Sequence, residues 1–178
     1  MRVLDPMARA ARGSVDGACI ARHQGWAINL SGGYHHAHSK DGGGFCIYPD
    51  ITFVTHYMEQ WYNLKRFLII DLDAHQGNGH ERDHMDKEKY YIIDAYNHNI
   101  YPGDSYAAAA ISDNLRVRSS MGDREYQCEM VDVASDHVSG FRFSSHIVVH
   151  YACDSVNFRE RHFLLRQSYQ NLVSLPNF

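Results

Sequence analysis

Phe67-Leu68-Ile69-Ile70-Asp71-Leu72-Asp73-Ala74-His75 is the stretch on which the fold turns. Four consecutive apolar residues read as a strand of a parallel sheet, covered on both faces. The run stops at two carboxylates and an imidazole, groups that are costly to bury without partners. The same pattern recurs on either side. Tyr90-Tyr91-Ile92-Ile93 predicts a second strand closed by Asp94, and Ile147-Val148-Val149 a further one followed by Cys153-Asp154. Upstream, Trp26-Ala27-Ile28-Asn29-Leu30 predicts a buried strand halted by Ser31-Gly32-Gly33. A polar, glycine-rich loop then runs from Tyr34 to Gly44. Asp50 reads as a helix N-cap, with Ile51, Val54, Tyr57, Met58, Trp61 and Leu64 on one apolar face behind it. Helices are also expected in the first 24 residues, near Glu81 to Met85, and from Asp123 to His137. Strands and helices alternate, which predicts an α/β domain whose mostly parallel sheet is flanked by helices. In such sheets ligands sit beyond the carboxyl ends of the strands. The reactive side chains His35, His36, Asp71 to His75, Asp94 and Asp154 follow those ends.

Composition narrows the function classes. The chain has 178 residues, 44% hydrophobic and 21% charged, and is read as a single domain over residues 1–178. A net charge of −4 gives no basic footprint for nucleic acid. No apolar run is long enough for a membrane span and no signal sequence is visible, so the protein is expected to be soluble and intracellular. Cys19, Cys46, Cys128 and Cys153 are scattered without a C-x-x-C pair, which argues against a disulfide scaffold or zinc ribbon. Thirteen histidines exceed what packing or solubility requires. Their commonest specialised uses are metal ligation and proton transfer.

Each reactive group has a sharp reading and an ordinary one. If the segment after Ile70 stays extended, Asp71, Asp73 and His75 project to one face, and a divalent cation relieves their crowding. Mixed Asp/His ligation suits catalytic zinc, with manganese, iron(II) and cobalt as further candidates. The ordinary reading is a hydrogen-bonded polar strand end. His35-His36 is either an exposed pair or a base and charge stabiliser beside a metal-activated water, one of them oriented by Asp71. Gly42-Gly43-Gly44-Phe45-Cys46 is either a channel wall with a free-standing ring or a loop anchored by Phe45 in the core. Asp154 is either a helix N-cap or a third ligand.

Several segments together resemble the histone deacetylase family, most closely its class IV branch, the histone deacetylase eleven type. They are Gly25-Trp26-Ala27-Ile28-Asn29, Gly32-Gly33-Tyr34-His35-His36, Gly42-Gly43-Gly44-Phe45-Cys46, Ile70-Asp71-Leu72-Asp73-Ala74-His75-Gln76-Gly77-Asn78-Gly79 and Ile100-Tyr101-Pro102-Gly103-Asp104. The resemblance is nearly gapless over 25–104 and thinner over 105–178. It implies an arginase/deacetylase-like fold and removal of acetyl or longer acyl groups from lysine side chains, in a histone tail or another acyl-lysine peptide. It further implies one catalytic zinc, held by Asp73, His75 and Asp154. His35 would pair with Asp71. His36 would serve as general base and then acid, oriented by Asn78. Gly44 and Phe45 would line the substrate channel, and a structural potassium ion would lie near Asp71, Asp73 and Asp94. A nuclear or cytoplasmic place follows for a eukaryotic chain, with a role in chromatin regulation.

The resemblance also has gaps. The family's late Gly-Gly-Tyr motif has no counterpart after Asp154, only 24 residues remain, and Tyr169 lacks the preceding glycines. Loss of one oxyanion donor costs about 10²–10³ in rate. The family's opening section is absent as well. The chain is therefore expected to be an incomplete domain, truncated at both ends, and weak or inactive as a catalyst. Alternatives are a non-catalytic binding module and an amidohydrolase acting on small substrates such as acetylpolyamines.

Overall fold

The computed structural model of the chain describes residues 3–126 and 128. Helix α1 (Leu4–Gln24) is followed by a long loop, then α2 (Asp50–Tyr62), β1 (Phe67–Asp71), α3 (Asn78–Asp83) and β2 (Tyr90–Tyr96). A short 3-10 turn (Ala107–Ala110) leads to β3 (Asp113–Arg116). The three strands form one sheet in the order β1-β2-β3, all parallel, with Asp71 opposite Asp94 and Asp94 opposite Asn114. The expected α/β architecture is present.

Burial explains the order. Every residue of β1 is buried, as its unbroken apolar run requires. Phe67 and Tyr90 meet Val54, Met58 and Leu64 beneath α2, and Val15, Ala18 and Cys19 of α1 close over the same cluster. Ile69 and Ile92 continue that face with Ile51 and Ala110, while Leu68, Ile70 and Ile93 fill the opposite one. Strand alternation thus carries Asp71 and Asp94 onto the face covered by helices, where both are fully buried. Asn63 ends α2 in the left-handed conformation and satisfies the last turn from its backbone N–H.

Three local expectations are corrected. Trp26 to Leu30 forms no strand, and Trp26, Ile28 and Leu30 are exposed, Leu30 to 93%. The segment is held through Asn29, whose Nδ2 donates to Ala10 O and Ser14 Oγ, so it docks on α1 rather than in the sheet. Asp50 is the first residue of α2, not its cap, which is Pro49. Its buried carboxylate instead accepts from Gly33 N (2.7 Å), Tyr34 N (2.8 Å) and Ser14 Oγ (2.5 Å), pinning the glycine loop to both long helices. Trp61 is exposed, whereas Ile51, Val54, Met58 and Leu64 of the expected face are buried and Tyr57 is partly so. β3 was not anticipated. The expected strand at Ile147 to Val149, most of the Asp123 to His137 helix, Tyr169 and Asp154 lie outside the described residues. Asp123 to Tyr126 are helical.

Candidate metal centre

The chain beyond β1 does not stay extended. Asp73 N donates to Asp71 Oδ1 at 3.0 Å and His75 N to Asp73 Oδ1 at 2.8 Å, two successive Asx turns that curl the segment. The alternation expected for Asp71, Asp73 and His75 therefore fails. Asp71 points inward, whereas Asp73 and His75 meet at the rim, Asp73 Oδ1 to His75 Nδ1 being 3.1 Å. Two ligands of one tetrahedral zinc, each at about 2.0–2.1 Å, stand roughly 3.4 Å apart. The pair fits a shared cation, and one carboxylate with one imidazole is a zinc-like donor set. Asp73 Oδ1 also lies 3.9 Å from His35 Nε2.

The twin imidazoles stand beside this pair. His35 and His36 are both buried, their rings 4.0 Å apart, and the His36 ring meets His75 edge-on at 6.0 Å. The exposed-pair reading of His35-His36 is excluded. His35 Nδ1 donates to Asp71 Oδ2 at 2.8 Å. Burial opposes charge on His35, but Asp71, aided by Asp73 and Glu81, outweighs it and lifts the pKa. Burial would likewise raise the Asp71 carboxyl, yet His35 and His80 hold it well below the usual range. Two buried groups so paired form one ionic unit. His36 is different. Its Nδ1 lies 2.8 Å from Asn78 Oδ1, a neutral partner. Burial, then the charge on His35, presses its pKa down to about 4, so the ring is neutral near pH 7 with Nε2 able to accept a proton.

Gly44 and Phe45 close one side. Gly43 and Cys46 exchange backbone bonds across them (3.1 and 2.7 Å), and both central residues have positive φ, 49° and 64°. That is a type I′ turn, a geometry in which glycine or asparagine normally sits at the second position. A Cβ on Gly44 would stand 2.2 Å from His36 Cδ2, so the backbone must be bare where it passes the ring. Phe45 is 100% exposed, which rules out its anchoring the loop in the core. Opposite, the Tyr101 ring meets His36 edge-on at 5.0 Å and His75 at 6.3 Å.

Beneath the rim lies a second cluster. Asp71, His80 and Asp94, all buried, offer ligand atoms within 4.8 Å of one another. His80 Nε2 donates to Asp71 Oδ2 at 3.0 Å, and Asp94 Oδ2 accepts from Gly77 N at 2.9 Å. Of the residues expected around potassium, Asp71 and Asp94 are here, while Asp73 has turned to His75. Glu81 and Asp94 face each other with Glu81 Oε1 and Asp94 Oδ1 lacking any other donor. Burial, and then neighbouring negative charge, raise the pKa values of both carboxyls. His80, Glu81 and Tyr101 carried no expected site role, and the helix expected near Glu81 to Met85 begins earlier, at Asn78. His80 and Glu81 follow Asn78-Gly79 directly, and a one-turn helix starting there was the signal that could have found them.

Residues 3–162 match the histone deacetylase domain. The chain belongs to the histone deacetylase family. Histone deacetylase 2 of Arabidopsis thaliana is 40% identical over 151 residues, which are 85% of this chain and 38% of that protein. A crystal structure of an HDAC homolog complexed with SAHA superposes with a TM-score of 0.71 at 19% identity, over 90% of this chain and 49% of that one. An HDAC homolog from Aquifex aeolicus gives 0.67 at 22%, over 78% and 40%. The chain thus spans 38% to 49% of the length of these relatives. The arginase/deacetylase fold, with its parallel sheet flanked by helices, is that of the two solved homologues. Among the described residues no helix is long and apolar enough to cross a membrane.

Proposed function

We propose that this chain carries the site of a zinc-dependent hydrolase that removes acetyl or longer acyl groups from lysine side chains, in histone tails or other proteins. One observation carries the reading. The Asp73–His75 donor pair stands beside two imidazoles that differ in partner, His35 on a carboxylate and His36 on an amide. Asp73 and His75 would hold zinc, with Asp154 as the third ligand. The ion would polarise the acyl carbonyl and ease deprotonation of water.

The protein's own groups do the rest. His36, with Nδ1 bound to Asn78, presents Nε2 as the acceptor that takes a proton from the attacking water. The same ring returns that proton to the departing lysine amine. His35, whose pKa Asp71 holds up against burial, would stabilise negative charge growing on the carbonyl oxygen. Phe45 and Tyr101 flank the approach to His36, and with Gly44 they would guide the aliphatic lysine stem. Potassium would settle at Asp71 and Asp94. Asn78 and the Gly42 to Cys46 loop support the class IV assignment, with a nuclear or cytoplasmic setting if the chain is eukaryotic. The exposed Trp26, Ile28 and Leu30 favour one alternative, a catalytically weak chain that works as a binding module.

The test pairs metal content with turnover. Zinc measured by mass spectrometry should be near one per chain, and should fall in Asp73→Ala, His75→Ala and Asp154→Ala. Cleavage of acetyl-lysine and myristoyl-lysine peptides should vanish in His36→Ala. Zinc retained in full by both the Asp73 and His75 variants would refute the site. Zinc bound without turnover would move the assignment to the binding module.

A further inference from the structure

His36 is held by an amide, and an amide has two unlike ends of nearly equal size. Shape does not choose between them. With the carbonyl facing His36, Nδ1 carries the proton and Nε2 is bare. With the NH₂ facing it, Nδ1 must accept and Nε2 carries the proton, which leaves the ring no free acceptor. Something outside the pair must orient Asn78.

The far end of Asn78 meets Asp104. Asn78 Nδ2 donates toward Asp104 Oδ2 at 3.4 Å, and Arg82 Nε and a terminal guanidinium nitrogen each reach that same oxygen at 2.7 Å. Ala107 N donates to Asp104 Oδ1 at 3.1 Å. Partial burial works to raise this carboxyl's pKa, but the Ala107 N–H, Arg82 and Asn78 outweigh it and keep it below the usual value. Asp104 is therefore an acceptor only. Asn78 and Arg82 lie four residues apart on one side of α3, so a single helical face grips the carboxylate. The Asp104 backbone is fixed too, its N–H donating to Gln76 Oε1 (3.0 Å) and its carbonyl accepting from Gln76 Nε2 (2.9 Å).

We propose that Asp104, clamped by Arg82 and Gln76, is a positioning residue that sets the tautomer of His36 through the Asn78 amide. An acceptor opposite Asn78 demands its NH₂, which turns the carbonyl to His36 and keeps the ring proton on Nδ1. A carboxylate at position 78 would need no such guide, since its two oxygens are equivalent. The inference deepens the deacylase reading, but the tautomer is read without substrate or turnover.

The experiment uses the full chain labelled with ¹⁵N-histidine, in which two-bond proton–nitrogen correlations report the protonated ring nitrogen of His36. The unaltered chain should show Nδ1–H, and so should Asp104→Asn, whose carbonyl oxygen still accepts between two donors. The paired exchange Arg82→Glu with Asp104→Lys keeps an ion pair yet places a donor opposite Asn78. His36 should then switch to Nε2–H. Asp104→Ala serves if the exchange does not fold, and should give a mixture of both tautomers. His36 fixed as Nδ1–H in every folded variant would overturn the proposal. On an acyl-lysine peptide the exchange should lower kcat about 10²-fold or more, as for loss of a positioned base, with KM nearly unchanged. If the tautomer responds while no form of the chain turns over substrate, the positioning role stands and the deacylase reading falls.

Discussion

Gly79→Ala puts the tightest contact in the site to the test. Gly79 passes so close to the twin-imidazole segment that a Cβ there would lie 2.4 Å from His36 C, 2.4 Å from Ala37 O and 2.6 Å from Ala37 N. Ordinary contact begins at 3.4 Å, so relief needs a separation of about 1.0 Å between α3 and the 35–37 backbone. All three atoms are main chain, and no side chain can rotate away. Overpacking of this kind costs typically 1–3 kcal/mol. The shift would also stretch the bonds from Gly79 N (2.8 Å) and His80 N (3.3 Å) to His35 O, worth about 1 kcal/mol each. The expected loss is about 3–5 kcal/mol out of a typical total of roughly 5–15. Urea denaturation should show it as a lowered midpoint with the slope kept. Because α3 carries Asn78, the same displacement separates His36 from its partner. A misplacement of about 1 Å can cost 10²-fold in turnover. Gly122→Ala, where a Cβ meets nothing within 4 Å, is the control and should be neutral. Gly79→Ala with wild-type stability and an unchanged His36 environment would show that the close approach is not what holds the imidazoles.

Asp50→Ala should destabilise the chain by about 3–5 kcal/mol, since Gly33 N and Tyr34 N lose their acceptor at a buried site; a thermal midpoint within a degree of wild type would contradict this. Hydrogen exchange at those two amides should accelerate in the same variant. The His84 ring donates from Nδ1 to His80 O at 2.7 Å and meets the Thr55 hydroxyl at Nε2 (2.8 Å), and burial, then His80, lowers its pKa to about 3. Its folded pKa lies below the unfolded value of about 6.5, so its contribution is complete above pH 6.5 and is lost as pH falls towards 3. His84→Gln should flatten stability against pH across that window by about 1.4 kcal/mol per pH unit, the slope of one proton. Equal slopes in the two proteins would disprove it.

The parts legible in the sequence are those where one interaction dominates. β1 and β2 announce themselves through unbroken apolar runs, because a strand covered on both faces has no place for polar residues. The spacing of Ile51, Val54 and Met58 defines α2 for the same reason. Trp26 to Leu30 misleads, since an apolar run says nothing about whether a neighbouring strand exists to pair with it. β3, Asp113-Asn114-Leu115-Arg116, shows one apolar residue in four and takes its place from the register with β2. In the site, Asp73, His75, His35 and His36 were legible as candidate residues and their local geometry was not. Asx turns, set by side chain-to-backbone bonds two residues apart, replaced the expected extended strand. His80, Glu81 and Asp104 were given no role because their contacts, Asp71 for His80, Gln76 for Glu81 and Arg82 with Gln76 for Asp104, arise only once the segment after β1 curls and α3 forms.

Phe45 holds an angle that penalises a side chain and keeps its whole ring in water. Neither packing nor backbone geometry rewards it, and Phe45→Gly should leave the folded chain more stable by about 1 kcal/mol. A screen for thermal tolerance alone would therefore discard this ring among its first choices.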